Sequence, residues 1–199
     1  MGGKVRKMFN KILWIDIEST GLLFNKHGII QIAGIIEING EVKEKFQIFN
    51  NPIGKTIDEG ALKINGYSVE RLQGFMHPRN NYEGIIKMFS KYVDKFDKSD
   101  KFIAAGHNVC FDIEFLLQFF KDNNDNYFFS WVESRAYLDT RYIANFLQHT
   151  KKLPVLENSK LETLSKHFEE DTAGLHNAMF DIEHTRAIYY KMLDLIIDK

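Results

Sequence analysis

The chain has one cysteine, Cys110, in 199 residues. That excludes an internal disulfide framework and a cysteine-based zinc cluster, and it fits a reducing compartment, so a cytoplasmic location is expected. No apolar run is long enough for a transmembrane helix, so no membrane partner is expected. The opening Met1-Gly2-Gly3-Lys4-Val5-Arg6-Lys7 is basic but lacks the apolar segment of a signal peptide. An excess of one charge is also missing: 26 Lys and Arg face 27 Asp and Glu, a net charge of −1. A protein that neutralises long stretches of duplex phosphate needs a strongly basic face, so that class is disfavoured; an enzyme that grips a single strand end is not. The lysines between Lys4 and Lys11, and the pair Lys151-Lys152, read as solvated surface. There is no internal repeat and no low-complexity linker.

What is present is ordinary for a globular protein: 44% hydrophobic and 27% charged residues. The length suits one sizeable α/β domain and is short for two. Residues 1–11 are expected to form a basic, disordered arm ahead of a single domain over 12–199. Ile12 to Glu18 is an apolar run ending in acids and predicts a buried central strand. Ile29 to Ile38 predicts a second strand, the Asn39-Gly40 turn a hairpin, and Val42 to Phe49 its antiparallel partner. Asp58 and Ser68 are candidate N-caps of two short helices, the first stopped by Asn65-Gly66. Apolar spacing predicts a helix over Tyr82 to Phe96. A short strand over Phe102 to Ala105 and a helix over Cys110 to Phe120 follow. Another strand, Arg135 to Asp139, runs into a helix ending near Leu147. Helices over Lys160 to Phe168 and Phe180 to Ile197 close the series. This order predicts an α/β fold, a mixed sheet with helices on both faces.

Three short segments carry candidate chemistry. In Asp16-Ile17-Glu18-Ser19-Thr20-Gly21 the two acids lie two apart on a strand and so share a face. Such a pair at the end of an apolar strand is either hydrated at the surface or held around a cation. Gly21 would let the backbone approach a ligand closely. Asp112, in Gly106-His107-Asn108-Val109-Cys110-Phe111-Asp112, lies near a helix start just after a strand, where α/β sheets gather ligands; a helix-start acid favoured by the macrodipole is the bland alternative. His176 and Asp181, in His176-Asn177-Ala178-Met179-Phe180-Asp181, combine a loop histidine with an acid at a helix start. The remaining histidines have no metal-ligand spacing, and His107 reads as a structural hydrogen-bonding residue. Cys110 has no cationic neighbour to activate it. Tyr127, Phe128, Phe129 and Trp131 read as an aromatic core cluster in preference to a base-stacking platform.

Taken together, the three segments resemble those of the DEDDh (DnaQ-like) 3′–5′ exonucleases, the group that includes polymerase proofreading domains, over about Ile12 to Leu193. His176 fits the histidine branch; the tyrosine branch would place tyrosine at Asn177. The resemblance implies a ribonuclease-H-like mixed five-stranded sheet flanked by helices, its second strand antiparallel to the rest. It also implies a two-metal site using Mg²⁺ or Mn²⁺. Asp16, Glu18, Asp112 and Asp181 would be the ligands and His176 the general base. It further implies that Ser19, Thr20, Gly21, Leu22, Ile64, Asn65 and Asn108 contact substrate. Family members often carry histidine where this chain has Asn65. The implied activity is release of 5′-nucleotides from single-stranded nucleic-acid 3′ ends, DNA before RNA, with a DNA polymerase as a plausible partner. An oligoribonuclease-like RNA-trimming enzyme and a non-catalytic nucleic-acid-binding or polymerase-docking module on the same fold are the rival readings.

Overall fold

The structure is a computed structural model that describes residues 10–197. The basic arm expected over 1–11 lies outside the described residues except for Asn10 and Lys11, and Lys11 already begins the first strand. Among the described residues five strands form one sheet: β1 (Lys11–Ser19), β2 (Ile29–Ile38), β3 (Glu41–Phe49), β4 (Phe102–Gly106) and β5 (Val132–Asp139), in the order β3-β2-β1-β4-β5. β2 runs antiparallel to both β1 and β3, whereas β1, β4 and β5 are parallel. The expected mixed five-stranded sheet is therefore present, with β2 alone reversed.

The hairpin between β2 and β3 forms where Asn39 and Gly40 both take positive φ, as a two-residue turn matched to strand twist requires. Among the described residues seven α-helices connect and cover the sheet: α1 (Glu59–Asn65), α2 (Val69–Gln73), α3 (Pro78–Phe89), α4 (Val109–Asp122), α5 (Thr140–His149), α6 (Leu161–His167) and α7 (Ala178–Asp194). Asp58 caps α1 and Ser68 caps α2, as their sequences predicted.

The third helix differs from its prediction of Tyr82 to Phe96. It starts four residues earlier, because Pro78 is pre-set for the first turn and His77 Nδ1 accepts from the Arg79 N–H. It ends at Phe89, and the chain turns through Asp94 to Asp100, where the Asp100 carboxylate accepts the Asp94 N–H. Val93 is still buried, so its apolar character reports packing of a turn and not a continuing helix.

The two sheet faces bury different partners. Leu13, Ile15 and Ile17 point to the face covered by α3 and α4, in a core that includes Phe89, Phe102, Phe115 and Phe120. Phe128 and Trp131 belong to this core, as the aromatic-cluster reading expected, although Tyr127 is exposed. Ile12 and Trp14 point to the opposite face, against Ala178 and Ile182 of α7. Asp16 and Glu18 continue that α7-side register toward the end of β1.

Candidate active site

The site arises where β1 loses one neighbour. β1 pairs with β2 out to Ser19, but with β4 only over Ile12 to Trp14. Past Trp14 the parallel partner departs toward α4 and a crevice opens at the strand end, the usual ligand position in such sheets. The backbone N–H of Ile17, facing this gap, donates to Asp112 Oδ1 at 3.0 Å. Asp112, buried in the first turn of α4, thus replaces the missing strand and stands beside the acids of β1.

Carboxylate oxygens of Asp16, Glu18 and Asp181 all lie within 4.8 Å of one another. Glu18 is 8% exposed, Asp112 3% and Asp181 9%. Concentrating negative charge in so little water favours the protonated forms. Burial pushes Glu18 up to about 8, with Asp181 adding to it. Burial likewise raises Asp181 to about 6, although the His176 N–H and charge hold it back. Asp16 is raised well above the ordinary range by burial and then by Asp112, Asp181 and Glu18. Burial raises Asp112 as well, opposed by the Ile17 N–H.

One oxygen shows that this charge is not balanced within the protein. Asp181 Oδ2 accepts from the His176 N–H at 3.1 Å, while Asp181 Oδ1 is buried without a hydrogen-bond partner. An orphaned carboxylate oxygen inside a three-acid cluster is the environment a divalent cation satisfies, and an all-oxygen donor set suits a hard one. The residues therefore fit a divalent metal.

His176 sits on an exposed loop with φ of 71°, and its main-chain N–H makes the hydrogen bond to Asp181. Of the expected substrate contacts, Leu22 and Ile64 project from the rim, 80% and 61% exposed. Asn65 donates through Nδ2 to Ser19 O at 3.0 Å, fastening the end of α1 to the end of β1. The Ser19 hydroxyl donates to Gly21 O at 2.7 Å. Thr20 is fully buried; its hydroxyl donates to Thr56 O at 2.6 Å and accepts from Gly28 N at 2.9 Å. Both side chains are thus committed within the loop. At Gly21 a Cβ would stand 2.4 Å from the His27 ring, so glycine is required by close packing. Asn108 takes the left-handed conformation at the start of α4, and its Oδ1 accepts from Arg141 Nη1 at 3.4 Å.

Two supporting residues were not anticipated. Asp139, ending β5, accepts from the N–H groups of Asn108, Val109 and Arg141 at 3.1, 3.0 and 2.9 Å, fixing the turn that aims Asp112. An acid between an apolar strand and a helix was a legible capping signal for Arg141, but its reach to Asn108 was not. Glu37, 1% exposed within β2, accepts from Trp14 Nε1 at 3.2 Å and Arg186 Nε at 2.7 Å, and hydrogen-bonds Tyr190. It locks α7 to the sheet. His107 bonds Thr140 Oγ1 at 2.9 Å, and burial lowers it to about 4, in keeping with a neutral structural role.

The exonuclease family model (RNase_T) matches residues 13–189. Among relatives, the PolC-type DNA polymerase III of Oceanobacillus iheyensis is 27% identical over 184 residues, 92% of this chain and 11% of that protein. The PolC-type polymerase of Listeria welshimeri is 28% identical over 182 residues, 89% of this chain and again 11% of that protein. The chain thus spans about a tenth of the length of these curated relatives. Among solved structures, exonuclease I has a TM-score of 0.77 at 20% identity, over 93% of this chain and 41% of that one. Escherichia coli exonuclease I in complex with a dT13 oligonucleotide has a TM-score of 0.75 at 21% identity, over 92% and 40% of the two chains. These structures share the fold of this chain. Among the described residues, no helix is long and apolar enough to cross a membrane.

Proposed function

The chain belongs to the RNase_T exonuclease family, and from that premise we propose that it hydrolyses single-stranded nucleic acid from the 3′ end, with DNA as the favoured polymer, releasing 5′-nucleotides. The observation that carries this reading is the cluster of Asp16, Glu18 and Asp181 with its unpartnered buried oxygen, supported by Asp112 at an open strand end. The complex of exonuclease I with dT13 supports the choice of polymer. The PolC-type relatives support a polymerase as partner.

Two Mg²⁺ or Mn²⁺ ions, held by Asp16, Glu18, Asp112 and Asp181, would supply charge neutralisation at the scissile phosphate and a more acidic attacking water. The chain's own residues do the rest. Leu22 and Ile64 would press against the terminal base, and Asn65 keeps Ile64 in register with the acids through Ser19. His176 would take the proton from the attacking water. Its exposed position suits a base that swings over the bound strand, while its main-chain N–H keeps Asp181 oriented. With its one cysteine, exposed Cys110, the protein fits a reducing, cytoplasmic setting.

The deciding experiment is a time course on 5′-labelled single-stranded DNA and RNA with Mg²⁺, Mn²⁺ or chelator, against Asp16→Ala. A metal-dependent ladder shortening from the 3′ end, absent in the variant, is expected, and the faster polymer identifies the substrate. Intact oligomers that still bind would refute catalysis and leave a docking or binding module.

A further inference from the structure

The loop between α6 and α7 carries His176, and side chains of α7 support it. Glu169 opens the loop and His176 ends it, both left-handed, with φ of 58° and 71°. A residue with a side chain keeps that conformation only where its surroundings impose it. The attachments run the length of the loop. At its start, Glu170 Oε1 pairs with Lys191 Nζ at 2.5 Å, the same ammonium donates to Phe168 O at 2.7 Å, and His184 Nε2 stands 3.8 Å from Glu170 Oε2. At its end, the His176 N–H donates to Asp181 Oδ2. In its middle, the Ala173 and Leu175 N–H groups bond to Asp171 Oδ1 and Thr172 O, which shapes the loop but gives those groups no purchase on the helix. The purchase comes from Gly174, which lies so close on the Phe180 ring that a Cβ would stand 2.4 Å from Phe180 Cδ2. The ring is itself held: the His184 imidazole stacks on it, centroids 3.9 Å apart and planes 22° from parallel, and His184 Nδ1 donates to Phe180 O at 2.8 Å.

We infer that Glu170, Gly174 and Phe180 are positioning residues for His176: together they form a pedestal that fixes the main chain of the base before the strand arrives. The inference rests on the exonuclease reading above, in which His176 takes the proton from the attacking water. With its backbone held on both sides, the imidazole reaches the cleft by turning about its own side-chain bonds, and the loop has no ordering left to do when the strand binds. The first turn of α7 also presents Asp181 to the acidic cluster. Acid and base are therefore carried on one rigid piece and keep their spacing. Glycine is needed at position 174, because a side chain there would push the loop off the ring and take His176, two residues on, with it.

The test is Gly174→Ala, measured as kcat and KM on a 5′-labelled thymidine octanucleotide with Mn²⁺, alone and combined with His176→Ala. Gly174 is half-buried in a loop, so the variant should fold, and its Mn²⁺-induced melting shift should match the parent's. Its kcat should fall about tenfold or more, since a misplacement of about 1 Å can cost about a hundredfold, while KM stays within about twofold. In the His176→Ala background the same substitution should change kcat by less than about twofold, because a positioning residue is silent once the group it positions is gone. Hydrogen exchange at the His176 amide, read without metal or strand, should be faster in Gly174→Ala and in Lys191→Met, which releases Glu170. An equal loss of kcat with and without His176, a reduced metal shift, or unchanged exchange in both variants would overturn the pedestal and leave the exonuclease reading standing. Absence of hydrolysis by the parent would overturn both.

Discussion

Removing metal should make this protein sensitive to alkaline pH. The carboxylates of the cleft ionise less readily in the fold than in the unfolded chain. An acid whose folded pKa is raised binds more protons folded than unfolded across the window between its two values, so stability falls as pH rises through it. For Glu18 that window runs from 4.5 to about 8. For Asp181 it runs from 3.8 to about 6. At about 1.4 kcal/mol per pH unit, complete ionisation of Glu18 alone would weaken the metal-free fold by about 5 kcal/mol, less where water enters the cleft. With about 2–4 °C per kcal/mol for a chain of this size, chelated protein at pH 8.5 should melt about 5–15 °C below chelated protein at pH 5. Mn²⁺ or Mg²⁺ takes the place of the protons and should recover about 2.7 kcal/mol at a hundred times its dissociation constant; at one fixed metal concentration the gain should be larger at pH 8.5 than at pH 5, where protons compete for the carboxylates. Differential scanning calorimetry in chelator and in metal at both pH values measures this. A metal-free melting temperature that is flat or rises over this range, or a metal shift equal at both ends, would refute the electrostatic account of the cleft.

Other substitutions separate chemistry from support. Asp16→Asn should blunt the metal-induced melting shift, read in the same calorimeter. His176→Ala should lower kcat strongly while strand binding, read by fluorescence anisotropy, persists; an equal loss of binding would make His176 a substrate contact. Asp139→Ala frees three N–H groups and should cost about 2–4 kcal/mol in urea unfolding, with turnover falling as the Asp112 turn loosens. Glu37→Leu leaves Arg186 without its carboxylate and should cost about 3–5 kcal/mol, yet the folded fraction should keep its exonuclease rate.

Much of this architecture was written locally. Ile29 to Ile38 specified β2 to the residue, because a strand buried on both faces is dominated by apolar, mostly β-branched residues and the Asn39-Gly40 turn ends it. The acids of β1 were legible because carboxylates contradict the run they terminate. Local pattern was a weaker guide where a distant partner decided. The third helix was misplaced because Val93 is buried in a turn, indistinguishable by spacing from another helical repeat. Asp139 gave a capping signal for its own helix, but its grip on Asn108 depends on two parallel strands ending side by side. Glu37 was visible as a lone acid among isoleucines; that Arg186, on a helix far along the chain, would neutralise it was not.

The carboxylates of the cleft reach it from β1, α4 and α7, elements separated by most of the sequence. A ribosome delivers Asp16 early and Asp181 late, and until α7 docks on Trp14 the third member of the cluster is absent. The nascent chain, and equally any fragment left by proteolytic loss of α7, lacks the complete carboxylate cluster on which the proposed activity depends. Completing the fold is what completes the cluster.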